Sequence, residues 1–164
     1  MFPLSKYKPT LAAVAVLVIL LVGVLPALAA APDNDDISTA TIIAGLPFSV
    51  GLYTTEATTA PGDPFPSCNY YGIREATVWF QYSPAYTQYV TASTSGSSYT
   101  TNLGVYTGGP GLLSEVACAI DYNPVYFLAE FGNTYYIMVA AVNGSPYPSP
   151  SPGPFGGWLN FSLT

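Results

Sequence analysis

The chain has almost no basic residues. Its 164 residues include only three Lys and Arg together and no histidine. Lys6 and Lys8 lie close to the amino terminus, so the rest of the chain keeps Arg74 alone against nine Asp and Glu, a net charge of −8. Hydrolase triads are excluded there, because no His or Lys is present to activate a Ser, Thr or Cys nucleophile. Nucleic acids and anionic membranes are poor partners, since both are bound through Lys and Arg.

A pair of carboxylates is the one catalytic arrangement that this composition leaves open. The glutamates Glu56, Glu75, Glu115 and Glu130 are available, but no spacing singles out two of them. Zinc catalysis would need a ligand set of carboxylates alone, which is unusual for that metal. We therefore expect no enzymatic activity.

Residues 1–29 have the order of a secretory signal peptide. Lys6 and Lys8 precede an apolar run over residues 11–25, and small residues follow at 27–31. Cleavage after Ala29 would place Ala27 and Ala29 at the two small-residue positions. The alternative is a retained membrane anchor, because residues 11–28 approach the length of about 20 residues that crosses a bilayer. We predict a secreted or cell-surface protein with an acidic segment at 30–36 and one domain at 37–164.

Two cysteines, Cys68 and Cys118, lie in the exported part of the chain. They form no C-x-x-C spacing of the kind that suggests a metal or redox site. Since secreted proteins keep disulfides, one bond between the two is the simplest interpretation, and two free thiols are the alternative.

After Pro32, short segments rich in Val, Ile, Thr, Tyr and Phe alternate with clusters of Gly, Pro, Asn and Ser, which is typical of an all-β protein. Nine strands are predicted, at 41–44, 48–54, 76–82, 89–93, 103–106, 113–119, 125–129, 134–142 and 157–163. Their number and spacing predict a jelly-roll-like antiparallel β-sandwich of eight or nine strands. Strands 76–82 and 134–142 are apolar on both faces and should lie in the interior of a sheet. Prolines at every second position of 146–154 predict an exposed polyproline loop over 145–154.

Tyrosine is abundant, and its positions divide between strands and loops. Tyr82, Tyr106 and Tyr135 or Tyr136 fall on strands and should lie in the core. Five others fall in or beside predicted loops: Tyr70, Tyr71, Tyr86, Tyr99 and Tyr122. Exposed aromatic side chains can stack on sugars or contact a partner protein, so these five are candidate ligand-binding residues. Scattered exposed aromatics also occur without any function.

Several patches of sequence together resemble the bacterial pre-peptidase C-terminal domain. They include Asn34-Asp35-Asp36, the run from Thr77 to Pro84 with its Trp79-Phe80 pair, Leu103 to Gly108, and Gly132-Asn133 with the strand after it. That family is a secreted jelly-roll sandwich and is similar to the collagen-binding modules of bacterial collagenases. The resemblance implies that Asn34, Asp35 and Asp36, with Asp33 adjacent, help to hold calcium. A solvated or helix-capping acidic segment is the alternative.

These expectations favour a non-catalytic secreted module that binds extracellular protein or polysaccharide and is stabilised by calcium. The alternative is a structural subunit of a surface layer or extracellular filament. In such an assembly, residues 32–36 or an edge strand would pair with a neighbouring copy by strand addition.

Overall fold

The computed structural model describes residues 30–70, 72–142 and 155–164. Within them the chain forms a 3₁₀ helix, Ile37–Thr39, and nine strands: β1 Thr41–Ile43, β2 Phe48–Tyr53, β3 Glu75–Tyr82, β4 Gln88–Ser93, β5 Thr101–Thr107, β6 Ser114–Ile120, β7 Val125–Ala129, β8 Tyr135–Ala141 and β9 Trp158–Leu163. All nine predicted strands are present, with ends that differ by at most two residues. The predicted signal peptide, Tyr71 and the proline-rich loop lie outside the described residues. None of the helical structure in the described part is long and apolar enough to span a membrane.

The strands form two sheets, one in the order β1-β3-β8-β5-β6 and the other in the order β2-β9-β4-β7. Without β1, these are the two four-stranded sheets of a jelly roll, which confirms the predicted fold class. One pairing differs from the antiparallel expectation. Strand β1 runs parallel to β3, with Thr41 opposite Phe80 and Ile43 opposite Tyr82. The segment that ends in β1 runs along the edge of β3 in the same direction as β3, and the chain then crosses to β2 in the other sheet.

The main core lies between the two sheets. Phe80 of β3 stacks on Phe161 of β9 with ring centroids 4.0 Å apart and planes at 13°. Phe48 of β2 packs against both rings at 6.3 Å. Because these side chains come from both sheets, the aromatic contacts join the two halves of the sandwich.

A second apolar cluster covers the outer face of the five-stranded sheet. Trp79, Met138 and Tyr106 are buried there, beneath Ile37 and Leu113. The rings of Trp79 and Tyr106 have centroids 6.2 Å apart. Strands β3 and β8 therefore lie in the sheet interior and are covered on both faces, as their sequences predict.

The long β2–β3 connection, residues 54–74, is fastened to this outer face. Cys68 is bonded to Cys118 of β6, with Cα atoms 6.1 Å apart, which confirms the predicted disulfide. The adjacent Ser67 N–H donates to Glu115 Oε2 at 2.8 Å. Arg74 closes the connection on itself, because its guanidinium lies 4.4 Å from the ring centroid of Phe65. The connection thus forms part of the wall of the outer face.

Candidate binding surfaces

The acidic amino-terminal segment is folded against the edge of β3. Asn34 is only 4% exposed. Its Nδ2 donates to the Trp79 carbonyl at 3.0 Å, and the Trp79 N–H donates to the Asn34 carbonyl at 2.8 Å. The residue extends the hydrogen bonding of the sheet edge beside β1, so its role here is structural.

The neighbouring carboxylates are also engaged in local hydrogen bonds. Asp35 accepts from the N–H and the hydroxyl of Thr58, both at 2.6 Å. Asp36 caps the 3₁₀ helix by accepting from the Ser38 N–H at 2.8 Å and its hydroxyl at 2.7 Å. The bond from the Ser38 hydroxyl and then the bond from the Ser38 N–H, in order of effect, lower the pKa of Asp36 below its ordinary value.

No group of three or more acidic, Cys or His side chains in the described part of the chain is arranged to hold a metal ion. Asp33 is exposed, and Asn34, Asp35 and Asp36 have the folding roles given above. Calcium binding by these four residues stays a prediction from the family resemblance.

The four predicted ligand-binding tyrosines that the structure describes do not form one surface. Tyr70 and Tyr122 lie at one end of the sandwich, where the Tyr70 hydroxyl donates to Asp121 Oδ2 at 3.0 Å. Tyr86, exposed, lies in the β3–β4 loop at the opposite end. The expectation that Tyr99 is exposed is wrong: it is 6% exposed and belongs to the main core, because the β4–β5 connection folds over the end of the sandwich. Burial raises the pKa of Tyr99 to about 12.

A different set of aromatic side chains is brought together on the outer face of the four-stranded sheet. We call this surface the aromatic face and define it by the outward residues of β2, β4, β7 and β9: Ser49, Gly51, Tyr53, Tyr89, Thr91, Ser93, Tyr126, Leu128, Trp158, Asn160 and Ser162. Its most exposed members are Tyr89 at 82%, Tyr126 at 71% and Tyr53 at 69%.

Tyr53 and Trp158 form the first aromatic platform. They are directly opposite in the β2–β9 pairing, with ring centroids 5.0 Å apart and planes at 68°. The Trp158 ring lies over Gly51, where a Cβ atom would overlap it. The backbone N–H of Trp158 donates to the Ser98 hydroxyl at 2.9 Å, which fixes the start of β9. The lack of a Cβ at Gly51 leaves the space that the indole occupies.

Tyr89 and Tyr126 form the second platform, at the other end of the face. Tyr126 is opposite Thr91, and Tyr89 is two residues before Thr91 on the same strand, so the two rings are diagonal neighbours. The Thr91 N–H donates to the carbonyl of Thr164, six residues beyond Trp158. At the rise of a β-strand, six residues separate the platforms by about 20 Å along the strands.

The surface between the platforms is polar but carries no charge. It presents the hydroxyls of Thr91, Ser93 and Ser162 and the amide of Asn160, which donates to the Ser95 carbonyl at 2.7 Å. Strands β2, β4, β7 and β9 contain no Asp, Glu, Lys or Arg. Such a face can bind by ring stacking and neutral hydrogen bonds, without ion pairing.

These residues were missed because candidate aromatics were sought only in loops. The signal that could have found them is alternation: in β7, Tyr126 and Leu128 alternate with the buried Val125, Phe127 and Ala129. An outward aromatic on a strand without charged residues marks a face that is exposed but uncharged.

No family model and no curated protein matches this chain. The resemblance to the pre-peptidase C-terminal domain therefore stays a prediction, whereas the jelly-roll fold follows from the strand order.

Proposed function

We propose that this protein is a secreted, non-catalytic binding module whose aromatic face holds an extended extracellular polymer. One observation carries the proposal: two aromatic platforms lie about 20 Å apart on a face without charged side chains. A small molecule would contact one platform only. A polymer chain can lie across both, so that each platform adds to the affinity.

Neutral polysaccharide is the ligand class that the chemistry of this face favours, with extracellular protein as the second. Aromatic rings stack on the apolar faces of sugar rings, and the Ser, Thr and Asn side chains between the platforms can exchange hydrogen bonds with hydroxyls. An acidic polysaccharide would be repelled by the net charge of −8 on the exported chain.

Depletion from solution onto insoluble polymers tests the proposal. The secreted chain is incubated with cellulose, chitin, an acidic polysaccharide and collagen, and the unbound fraction is measured. Tyr89→Ala and Trp158→Ala should each weaken binding by about fivefold, which corresponds to about 1 kcal/mol for one aromatic contact. The double variant, Tyr89→Ala with Trp158→Ala, should lose the binding free energy of both aromatic contacts. Tyr89→Phe keeps the ring and should bind as the wild type does.

Tyr86→Ala is the matched control, because Tyr86 is an exposed tyrosine that lies on a loop outside the aromatic face. The proposal fails if Tyr86→Ala weakens binding as much as the platform variants do. It also fails if the double variant keeps full affinity for every polymer that the wild type binds.

Calcium is proposed as a stabiliser of the amino-terminal segment on the family resemblance alone. If Asp33, Asn34, Asp35 and Asp36 bind it, the melting temperature should be higher in millimolar calcium than in chelator. Equal melting temperatures would remove calcium from the proposal.

The competing proposal is a subunit of a surface layer or filament. Residues 32–36 do not act as a free donor strand in this structure, because Asn34 and Asp35 hydrogen-bond to Trp79 and Thr58. Strand addition would instead have to use an edge strand such as β7, which ends the four-stranded sheet. Long regular fibres in negative-stain micrographs of native secretions would favour this assembly over the binding module.

A further inference from the structure

Asn160 of β9 begins one of the two Asn-x-Ser sequences of the chain, Asn160-Phe161-Ser162. In exported proteins an Asn followed two residues later by Ser or Thr, with no proline between them, is the acceptor for an N-linked glycan. The other such sequence begins at Asn143, which lies outside the described residues. Because the motif is short, its meaning at Asn160 depends on where the strand places the side chain.

The strand places the Asn160 side chain on the solvent side of the sandwich. Asn160 is exposed, whereas its neighbours Leu159 and Phe161 are fully buried in the main core. Because side chains alternate along a strand, Asn160 shares the outer face with Trp158 and Ser162. A sugar joined to Asn160 would extend away from the core, so the folded protein has room for it.

The amide of Asn160 is held in place by the β4–β5 connection. Its Nδ2 donates to the Ser95 carbonyl at 2.7 Å, and the backbone N–H of Asn160 donates to the Ser97 hydroxyl at 3.0 Å. A side-chain amide has two hydrogens on its nitrogen, and glycosylation replaces one of them. The bond to Ser95 needs one hydrogen, which an N-glycosylated Asn still has.

Aromatic rings lie directly beside this acceptor. Asn160 is opposite Gly51 in the β2–β9 pairing, and the Trp158 indole lies over Gly51. The indole therefore occupies the space next to the Asn160 side chain, where Tyr53 packs against it edge to face. Since aromatic rings stack on the apolar faces of sugars, the first sugar on Asn160 would find its contact on the protein itself. That contact would also cover exposed apolar surface.

We propose that Asn160 carries an N-linked glycan whose first sugar residue lies on the Trp158 indole. The donor is an oligosaccharide joined through pyrophosphate to a lipid, and the catalyst is a transferase of the exporting cell. Asn160 Nδ2 forms a bond to the anomeric carbon and loses a proton. The bond from that carbon to the pyrophosphate oxygen breaks, and the lipid pyrophosphate leaves with the electron pair. The proposal requires export of the chain but does not require polymer binding.

The glycan would also regulate the proposed polymer binding, and this consequence alone rests on the proposed function. Asn160 belongs to the polar surface between the two aromatic platforms, so a glycan there occupies part of the surface that a polymer would cross. Modified copies should therefore bind polymer about fivefold more weakly than unmodified copies, which is the effect of losing one aromatic contact.

Intact mass spectrometry of the protein isolated from its own cells tests the modification. We expect a mass above that of the polypeptide by a whole number of sugar residues, and fragmentation of chymotryptic peptides should locate sugar on Asn160. Asn160→Gln should lose this mass. Ser162→Ala keeps the amide but breaks the recognition sequence, so it should lose the mass too, whereas Ser162→Thr should keep it. Asn143→Gln is the matched control and should keep the glycan on Asn160.

A double-mutant cycle tests the position of the first sugar. Ser162→Ala supplies the unmodified form, because it leaves the bond between Asn160 and Ser95 intact. Loss of the glycan should lower the melting temperature by about 4 °C when Trp158 is present. In the Trp158→Ala background the same loss should have little effect, because the stacking contact is already absent.

Two results would overturn the proposal. They are a native protein without sugar on Asn160, and a change in melting temperature that is the same with and without Trp158. The depletion assay keeps the two proposals separate. Failure of the unmodified Asn160→Gln protein to bind any polymer would refute the proposed function, whereas the modification is judged by mass and by the melting temperatures.

Discussion

Loss of the Cys68–Cys118 bond should destabilise the fold by about 4 kcal/mol. The two residues are 50 apart in sequence. Closing a loop of that length removes enough entropy from the unfolded chain to account for this value in the chain-entropy treatment. The folded state should change little, because other contacts, such as that between Ser67 and Glu115, also hold the connection on β6.

The perturbation is the double substitution Cys68→Ser with Cys118→Ser, studied beside the reduced wild type. Urea unfolding followed by tryptophan emission and by circular dichroism gives the free energy of unfolding for each form. For a domain of about 135 residues, a loss of about 4 kcal/mol corresponds to a melting temperature lower by about 15 °C. Ser67→Ala is the control, because it removes one side-chain contact of the connection and leaves the covalent bond.

The expected ranking is wild type, then Ser67→Ala within about 1 kcal/mol of it, then the double variant. Mass spectrometry of the purified protein establishes whether the bond is present before the comparison. A double variant as stable as the oxidised wild type would refute the reasoning, because the unfolded chain would then gain nothing from release of the loop.

Three further substitutions test the packing. Burial raises the pKa of Tyr99 from 10.0 to about 12. The stability that the folded state gains at this residue is therefore complete below pH 10 and is lost as the pH rises through 12. This stability amounts to about 3 kcal/mol. Tyr99→Phe should flatten the decline of the unfolding free energy between pH 9 and 12, measured by urea unfolding. An unchanged decline in the variant would contradict this assignment. Tyr122 has φ of 65°. Tyr122→Gly should therefore raise the unfolding free energy by about 1 kcal/mol in thermal melts, and a lower melting temperature would count against strain at this turn. Asn34→Ala should lower the free energy of unfolding by about 2 kcal/mol in urea, because it leaves the Trp79 carbonyl without its side-chain partner. A change within about 0.5 kcal/mol, the usual range for surface substitutions, would show that this bond is dispensable.

The sequence predicts the strands well because turn residues separate them so clearly. Strand β7, Val125–Ala129, begins and ends where its alternating pattern does. Strand β5 begins two residues earlier than its apolar pattern, at Thr101. Thr101 and Asn102 are polar yet buried, and Asn102 Nδ2 donates to the Ala119 carbonyl at 3.0 Å. A pattern based on hydrophobicity cannot include such residues, since their burial depends on partners from other strands.

The direction of strand pairing is a second feature that the strand pattern of the sequence does not reveal. The segment Thr41–Ile43 has strand character in either orientation. Its pairing with β3 is parallel because the residues before it already run along the edge of β3 in the same direction. The residues of this path include Asn34, which the family resemblance assigns to calcium and the structure places on the Trp79 backbone.

The candidate binding residues were harder to predict than the fold. Tyr99 falls between two strands, and its position in a connection suggested exposure. The connection instead folds over the end of the sandwich, and Tyr99 joins the core. Tyr89 and Tyr126 fall within predicted strands, and which side of a strand faces solvent depends on the partner sheet.

The distribution of charge links the fold to the aromatic face. All nine carboxylates lie outside β2, β4, β7 and β9, in the amino-terminal segment, the five-stranded sheet or the connections. Their mutual repulsion opposes the association of copies in solution. An uncharged face with exposed rings would be an aggregation hazard on a neutral protein. The acidic residues elsewhere thus allow the aromatic face to stay free of charge.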